Sequence, residues 1–314
     1  MQKRSLGLRC PCPSKAELKY KNSTYNCVKN GCVHSKAQNG FWKLNGKPVI
    51  ISELKCDTAF SSASISSYVK RPGKYTKRLN KILFGISECT EVNFHEFLKQ
   101  IRDFSAKPKI LIIGSGEVGS GTEKFYQQKD IEIVGIDVYE SQFVDVVCDA
   151  HYLPFKNNNF DGVWIQAVLE HVVEPRIVAA EIFRVLKLGG IVYSETPFMQ
   201  QVHEGAHDFN RFTVLGHRYL FRNFELIAYG GNKGAEVVLA WSLKYMVWSI
   251  FRSILLAKII GAVSRVLFRP LSYITSEESL HDSSSGVFFM GRKKKDHKLT
   301  HKDLLKLYKG QFPS

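Results

Sequence analysis

A run of glycines directly behind a predicted buried strand constrains the fold of this chain more than any other feature. Residues 109–125 read KILIIGSGEVGSGTEKF, with four glycines between positions 114 and 121. Glycine loses more conformational freedom on folding than other residues, so a bare backbone here needs a reason. A ligand that approaches the strand end closely, at the first turn of a helix, would supply that reason.

Apolar strand-like runs alternate with helical patterns between residues 91 and 230, as is typical of a parallel α/β sheet. The predicted strands are KILIIG, IEIVGID, FVDVVCD, FDGVWIQ, IVYSETP and FELIAYG, with GVFFMGR as a seventh after a long insertion. A helix is expected to open at GTEKFYQQK, and EPRIVAAEIFRVLK is expected to be a helix that ends at Gly189–Gly190. The predicted fold is a seven-stranded, doubly wound, Rossmann-like sheet.

Composition divides the 314 residues into segments of different character. The predicted segments are a small β-rich ribbon at 1–56, a linker at 57–90, an α/β core at 91–236 and 284–295, an amphipathic helical insertion at 237–283, and a basic tail at 296–314. The tail is expected to be a solvated, disordered end because lysine and arginine dominate it.

The formal net charge of +15 points to anionic partners such as nucleic acid, acidic lipid surfaces or phosphorylated substrates. The first residues, MQKRSLGLRCPCP, lack an apolar stretch, so no secretory signal is predicted. No run of about 18 uncharged apolar residues occurs, so no transmembrane helix is predicted. The expected location is the cytoplasm.

An acidic residue at a strand end narrows the choice of ligand. The second strand ends at Asp137, 21 residues after Gly116, and its carboxylate is suited to accept hydrogen bonds from both hydroxyls of a ribose. The glycine run could instead form a tight strand–helix turn that binds no ligand. For Asp149, at the next strand end, the alternative is the cap of a helix.

Later motifs indicate which ribose-containing cofactor is expected. The segments CDAHYLPFKNNNFDGVWIQAVLEHV, EIFRVLKLGG and IVYSETP resemble, in order and spacing, class I S-adenosylmethionine-dependent methyltransferases of the type 11 group over residues 109–229. The resemblance implies S-adenosylmethionine rather than a dinucleotide. The positions it assigns are Gly114, Ser115 and Gly116 at the methionyl moiety, Asp137 at the ribose, Asp149 and Ala150 at the adenine, and Gln166, through its backbone, at the amino group.

The loop TPFMQQVHEGAHDFNRFT, residues 196–213, is expected to face the transferred methyl group, since ligands of open α/β sheets bind outside the carboxyl ends of strands. It resembles a segment of methyltransferases associated with glycan synthesis. Its candidate bases are His203, His207 and Asp208. The alternatives are a salt bridge from Asp208 to Arg211 that shapes the loop and, less favoured, a metal site in its Glu-His-His set. His171 is expected to pack beneath the loop.

Four cysteines near the N-terminus, Cys10, Cys12, Cys27 and Cys32, indicate a metal site rather than a disulfide framework. The surrounding sequence resembles small zinc ribbons of the methyltransferase-activator type, although one and four residues separate the cysteine pairs where that family has two. Four thiolates would form a tetrahedral zinc site, with His34 as a reserve ligand. The alternative is a ribbon that has lost its metal and keeps the cysteines as small core residues.

The insertion carries a predicted basic stripe. On one helix from 237 to 270, the basic residues fall within an arc of about 140°, opposite an apolar face. These residues are Lys244, Arg252, Lys258, Arg265 and Arg269. With Trp241 and Trp248, this pattern is typical of a helix that lies in a membrane interface, so an anionic membrane surface is a further predicted partner. The alternative is a helical cap on the core or a dimer interface.

Together these patterns predict an S-adenosylmethionine-dependent methyltransferase that acts on a sugar or lipid-linked glycan intermediate, peripherally on the inner membrane face. One alternative is a ribosomal or transfer RNA methyltransferase. The loop at 196–213 lacks the Asn-Pro-Pro-Tyr motif of base methylation, and no basic-aromatic platform for single strands is visible, so nucleic acid is the less favoured partner. The other alternative is a non-catalytic binding module that retains the fold.

Overall fold

The structure is a computed structural model that describes residues 6–51, 88–117 and 122–312. These residues form two compact units. The first unit contains 6–51, 100–117, 122–165 and 174–192, and the second contains 88–99, 166–173 and 193–312. The predicted linker at 57–90 lies outside the described residues except for 88–90, which begin a helix.

Two hairpins open the first unit. Strands β1 (Leu18–Lys21) and β2 (Thr24–Cys27) pair antiparallel, as do β3 (Trp42–Leu44) and β4 (Lys47–Ile50). The second hairpin turns at Asn45 and Gly46, both with positive φ (49° and 81°), which is the conformation that an Asn-Gly hairpin turn favours. Strand β4 then pairs in parallel with β7 (Val146–Cys148), so this hairpin extends the large sheet.

The large sheet of the first unit has the strand order β9-β8-β5-β6-β7-β4-β3. Its remaining strands are β5 (Lys109–Ile113), β6 (Glu132–Asp137), β7 (Val146–Cys148), β8 (Phe160–Gln166) and β9 (Leu186–Pro197). The neighbours β8, β5, β6 and β7 run parallel. Their isoleucines and valines are almost all buried, as a sheet covered on both faces requires.

In the second unit the strand order is β10-β11-β9, and β10 (Phe224–Gly231) pairs antiparallel with β11 (Gly286–Lys293). All seven strands predicted from the sequence therefore form, as β5 to β11, and the predicted α/β fold class is confirmed. The sheet of the first unit also contains β3 and β4, which the sequence did not predict as its members.

The helices of the described residues are α1 (Glu88–Phe104), α2 (Pro175–Val185), α3 (Val214–Leu220), α4 (Ala235–Phe251), α5 (Ile254–Phe268), α6 (Glu277–Ser283) and α7 (His301–Leu305). Helix α2 ends before the predicted glycine pair, because Leu186 is already extended. Gly189 lies in β9 with φ at 84°, where a Cβ would lie 2.6 Å from the Phe104 ring. Among the described residues, no helix combines the length and the apolar character that a bilayer span requires.

The predicted helix after the glycine run is instead a short 3-10 helix, Thr122–Gln127. Strand β6 already begins at Glu132, which leaves little chain for an α-helix. Phe125 anchors the segment, because its ring is buried and meets the Trp164 ring edge-on at a centroid distance of 5.1 Å.

The insertion forms a hairpin of two helices rather than one. Arg252 adopts a left-handed conformation (φ 51°) that ends α4, and Ser253 caps α5 by accepting a hydrogen bond from Leu256 N. Small buried residues face the contact between the two helices, and the Lys244 stem lies against Gly261. The single basic stripe predicted from the sequence therefore does not form.

The basic tail is also more ordered than predicted. Thr300 caps α7 through Asp303 N. Beyond it, the Tyr229 hydroxyl donates to Leu307 O at 2.6 Å, and the Tyr308 hydroxyl donates to an Asp282 carboxylate oxygen at 2.7 Å. Hydrogen bonds of two tyrosine hydroxyls thus hold the tail in place within the second unit. The prediction from charge composition did not consider these hydroxyls.

Protonation of His217 in α3 should destabilise the fold in acid. Its ring is fully buried, with Nε2 at 2.9 Å from Ser194 Oγ, and burial lowers its pKa from 6.5 to about 3. Because the unfolded chain binds this proton more readily, the contribution to stability is complete above about pH 6.5 and is lost as the pH falls toward about 3. Urea unfolding of His217→Gln should show a pH slope shallower by up to about 1.4 kcal/mol per unit, whereas the exposed control His95→Gln should leave the slope unchanged.

Candidate functional site

Two glycines of the run have a structural reason to be glycine. Gly114 follows β5 with φ at 82°, in the left-handed region. At Gly116, a Cβ would lie 2.4 Å from the Tyr139 ring. At the end of the strand, the loop backbone therefore carries no side chain at Gly114 and Gly116, as the sequence predicted. The later glycines of the run, at 119 and 121, lie outside the described residues.

The carboxylate of Asp137 holds this loop. Its Oδ2 accepts a hydrogen bond from Gly116 N at 2.7 Å, and its Oδ1 accepts one from Val138 N at 2.7 Å. Ser115 is buried and donates to Ile136 O at 3.2 Å. Strands β5 and β6 are parallel, so the loop and the acidic residue meet at one edge of the sheet.

Asp149 follows β7, the next strand of the sheet. It caps the 3-10 helix Ala150–Tyr152, accepting from His151 N at 2.8 Å, and its Oδ1 lies 2.5 Å from His151 Nδ1. The predicted cap alternative is therefore present. Ala150 is buried beside it. The first unit thus brings the predicted positions at Gly114–Gly116, Asp137, Asp149 and Ala150 to the carboxyl ends of three adjacent parallel strands.

Gln166, at the end of β8, belongs to a network in the second unit that sequence reasoning missed. Its side chain donates to the buried Glu195 at 3.3 Å. Glu195 also accepts from Thr90 Oγ1 (3.0 Å), Tyr193 OH (2.6 Å) and Asn232 Nδ2 (2.8 Å). Burial, followed by the nearby carboxylate, raises the pKa of Tyr193, which keeps the phenol a donor. In the sequence, this network was indicated only by a glutamate within the apolar strand IVYSETP.

An ion pair shapes the loop at 196–213. Arg211 donates to both carboxylate oxygens of Asp208, and these hydrogen bonds, acting against burial, lower the pKa of Asp208 to about 2. Asp208 also accepts from His203 N at 3.0 Å, and its Oδ2 lies 3.3 Å from His203 Nδ1. The salt-bridge alternative is therefore confirmed. Burial lowers the pKa of His203.

Glu170 was missed as a functional residue, although a charge inside the apolar run VLEHVV was a signal. Its side chain is fully buried, accepts from Thr196 Oγ1 at 3.0 Å, and has its pKa raised to about 7 by burial. His171 Nδ1 lies 2.7 Å from His207 O, so His171 packs on the loop as expected and His207 contributes its backbone. Whether this loop faces the methyl group stays a prediction.

The four N-terminal cysteines come together in the first unit. Their sulfurs lie within 4.8 Å of one another, and Cys10 Sγ is 3.9 Å from Cys32 Sγ. Tetrahedral thiolates on zinc stand about 3.8 Å apart, so this donor set fits the ion. His34 Nδ1 is 3.5 Å from Cys10 Sγ. Burial raises the pKa of Cys10, whereas at Cys12 hydrogen bonds, Ser14 foremost, outweigh burial and lower the pKa to about 6.

Comparison with known proteins identifies the central segment. Residues 111–194, from within β5 to within β9, match the family model described as a methyltransferase domain. This segment is therefore similar to methyltransferase domains. It includes the bare glycine loop and the strand ends at Asp137 and Asp149, so the family match and the geometry point to the same edge of the sheet.

The matched relatives share only part of their length with this chain. A ubiquinone/menaquinone biosynthesis C-methyltransferase of Saccharophagus degradans is 38% identical over 69 residues, 21% of this chain and 28% of that protein. Phosphoethanolamine N-methyltransferase 2 of Caenorhabditis elegans is 25% identical over 169 residues, 48% of this chain and 38% of that protein. The chain therefore spans well under half the length of these curated relatives.

A demethylmenaquinone methyltransferase of Renibacterium salmoninarum is 37% identical over 99 residues, 31% of this chain and 38% of that protein. Among solved structures, a SAM dependent methyltransferase from Archaeoglobus fulgidus aligns with a TM-score of 0.42 at 16% identity, over 70% of this chain and all of that one.

Proposed function

We propose that this chain is an S-adenosylmethionine-dependent methyltransferase that acts on a sugar or lipid-linked glycan intermediate at a membrane surface. The observation that carries the proposal is the hydrogen bond from Gly116 N to Asp137 within the matched domain. This hydrogen bond connects the glycine loop after β5 to the carboxylate at the end of the adjacent strand β6. In open α/β sheets, nucleosides bind at such an arrangement.

The cofactor would supply an electrophilic methyl group, and the chain would supply binding and positioning, since methyl transfer is an in-line displacement. Gly114, Ser115 and Gly116 would hold the methionyl end and Asp137 the ribose. Asp149 and Ala150 would hold the adenine, and Gln166 the amino group through its backbone.

Asp208 is poorly suited to take a proton from the acceptor, because Arg211 keeps its pKa at about 2. It is better suited to orient His203, whose Nδ1 lies 3.3 Å away. His207 contributes its backbone carbonyl oxygen, which lies 2.7 Å from His171 Nδ1. Of the three candidate residues, His203 is therefore the one that we place at the acceptor.

The helical hairpin supports an acceptor that is borne by a membrane. Its tip, consisting of Ile250, Phe251, Ile254 and Leu255, is apolar, with 61–71% of each residue exposed. Arg252 lies in the tip, 5.5 Å from the Trp248 ring. An exposed apolar patch flanked by a basic residue and a tryptophan suits the interface of an anionic bilayer.

Helix α4 of this hairpin contacts the loop that we assign to the acceptor. The Tyr245 hydroxyl donates to Val202 O at 3.0 Å, and Gln201 Nε2 donates to Ser242 Oγ at 3.3 Å. A hairpin tip in the membrane would thus hold this loop near lipid headgroups. A quinone is the second candidate acceptor, because quinones are also membrane-borne and two of the matched relatives are named for quinone synthesis.

Methyl transfer tests the proposal directly. The purified chain is incubated with methyl-labelled S-adenosylmethionine and with separate cell fractions of lipid-linked saccharides, quinones and RNA. We expect label in the saccharide fraction, whereas label in the quinone fraction would establish the second candidate. Label in RNA alone would contradict both.

Arg211→Ala should abolish most methyl transfer while leaving cofactor binding intact. It leaves the covered Asp208 carboxylate without its cation, and the loss of a hydrogen bond to a charged group costs about 1.5–3 kcal/mol. We expect at least a tenfold lower rate and a lower melting temperature. The control Arg102→Ala breaks an exposed pair with Asp130 (2.8 Å), which should cost less than about 1 kcal/mol. Equal rates for the two variants would contradict the assignment of the loop.

Zinc at Cys10, Cys12, Cys27 and Cys32 belongs to the same proposal, supported by the fit of the four sulfurs. Elemental analysis of protein purified without added metal should give at least about one zinc per chain. Cys27→Ser should lose this ion and destabilise the first unit. The control Cys89→Ser, outside the cluster, should keep it. A well-folded protein without zinc would favour the ribbon that has lost its metal.

A further inference from the structure

Three electron-pair donors converge beside the loop at 196–213. Glu170 Oε1 lies 3.7 Å from His171 Nε2 and 3.9 Å from His203 Nε2, and all three atoms lie within 4.8 Å of one another. They come from two places in the chain, the turn Leu169–His171 and the loop, both in the second unit.

The partners on the other side of each ring set the tautomers, through a hydrogen bond at His171 and a carboxylate contact at His203. His171 Nδ1 lies 2.7 Å from His207 O, and a carbonyl oxygen can only accept, so this nitrogen carries the hydrogen. His203 Nδ1 faces the Asp208 carboxylate at 3.3 Å, which Arg211 keeps ionised. In a neutral imidazole the opposite nitrogen then carries the lone pair. Both Nε2 atoms therefore carry lone pairs, and they lie 3.7 and 3.9 Å from Glu170 Oε1.

The ionised form of Glu170 has no hydrogen to donate to either nitrogen. Its side chain is fully buried, Oε2 accepts from Thr196, and Oε1 is a buried atom without a hydrogen-bond partner among the described residues. An unsatisfied carboxylate oxygen that faces two further acceptors is unfavourable, because burial removes the water that would otherwise compensate it. A cation at the centre would satisfy all three atoms.

We propose that Glu170, His171 and His203 bind one divalent transition-metal ion. Two imidazoles and one carboxylate are the ligand set of open zinc and iron sites. Ligand atoms about 2.1 Å from an ion stand about 3.4 Å apart in a tetrahedron, so the two Oε1–Nε2 distances of 3.7 and 3.9 Å would shorten by about 0.3–0.5 Å on binding. Arg211, the nearby cation, is already paired with Asp208.

The surroundings match those of a metal site open on one side. The side chains of His171 and His203 are 20% and 28% exposed, which leaves a coordination position for water or a substrate oxygen. The His207 carbonyl and the Asp208 carboxylate are partners of the kind that orient metal-bound histidines. This is a different set from the one that the sequence suggested, since only His203 of the loop's Glu-His-His residues takes part.

The consequence for catalysis rests on the proposed function. A metal ion lowers the pKa of a bound hydroxyl, so an acceptor hydroxyl in the open position would lose its proton more readily before it attacks the methyl group. The proton leaves to solvent, and the alkoxide electron pair forms the new bond to the methyl carbon. The bond from that carbon to the cofactor's sulfonium sulfur breaks, and its electron pair returns to sulfur, which gives S-adenosylhomocysteine. Metal binding itself needs neither cofactor nor acceptor, so its test stands apart from methyl transfer.

Metal content tests the proposal. The full chain is stripped with a chelator, dialysed against zinc at low micromolar concentration, and analysed for zinc per chain alongside Glu170→Gln and His203→Asn. Glu170→Gln keeps the size of the side chain and its bond to Thr196 but lacks an anionic oxygen. Each variant should hold about one ion fewer than the parent. The exposed control His95→Gln should match the parent, and the cysteine cluster contributes equally to all four proteins.

Cobalt distinguishes the two sites by their ligands. Sulfur-to-cobalt charge transfer from the cysteines should persist in both variants, and only bands of a nitrogen–oxygen site should disappear. Should Glu170→Gln fail to fold, as judged by circular dichroism, His203→Asn on the exposed side decides. Equal zinc in the parent and a folded variant would overturn the proposal and leave a proton shared between Glu170 and a histidine as the explanation of the cluster.

Discussion

Asp137→Ala should weaken the binding of S-adenosylmethionine by about 1–3 kcal/mol, which corresponds to roughly 5- to 150-fold in affinity. The change removes the proposed acceptor of the two ribose hydroxyls. It also releases Gly116 N and Val138 N, which the carboxylate now holds at 2.7 Å each. The loop would then lose its fixed conformation as well as a direct contact. Isothermal titration calorimetry of both proteins measures the effect.

A matched control separates this site from a general effect of charge. Asp130→Ala also removes a carboxylate from the first unit, but this residue lies outside the strand ends and pairs with Arg102 at the surface. It should bind the cofactor as the parent does. If Asp137→Ala binds as tightly as Asp130→Ala, the assignment of the ribose site to the end of β6 is wrong.

Phe251→Glu with Leu255→Glu should abolish binding to lipid vesicles. Both residues lie in the hairpin tip and are mostly exposed, so the charges would not disturb a packed core. In the membrane interface each would replace a favourable apolar burial of about 1.5–3 kcal/mol by a charge repelled by anionic headgroups. Cosedimentation with anionic and neutral vesicles, at low and high salt, measures the loss.

The control for this experiment is Val92→Glu, an equally non-conservative change at an exposed position of α1. It should leave vesicle binding intact. The parent should bind anionic vesicles best, and salt should weaken binding without abolishing it, since Arg252 contributes attraction and the tip contributes apolar burial. A parent protein that stays in the supernatant in every condition would make the hairpin a cap or an interface, and the membrane-borne acceptor would lose its support.

The strand ends were predictable because their signals are local. Each parallel strand is a short apolar run, and Gly114 and Asp137 sit where such runs stop. Parallel pairing then brings successive carboxyl ends to one edge of the sheet without any further information. The position of the strand ends could therefore be predicted from the sequence, whereas the role of each residue at the cofactor came from the family resemblance.

The cluster around Glu170 could not be predicted in the same way. Its contacts join Glu170 to Thr196 and His203, far along the chain, and depend on how the loop folds back over the turn at Leu169–His171. The hairpin turn was missed for another reason. Arg252 takes a left-handed conformation that the sequence usually marks with glycine or asparagine, and neither residue occurs there.

The proposed function requires that the edge of the sheet at Gly114–Gly116, Asp137 and Asp149 binds the nucleoside of S-adenosylmethionine. Calorimetric titration of the full chain with S-adenosylhomocysteine, beside a parallel titration with NADH, tests it most directly. We expect saturable binding of about one S-adenosylhomocysteine per chain and no binding of the dinucleotide. A folded chain that binds NADH, or that gives no heat with S-adenosylhomocysteine at millimolar concentration, would contradict it.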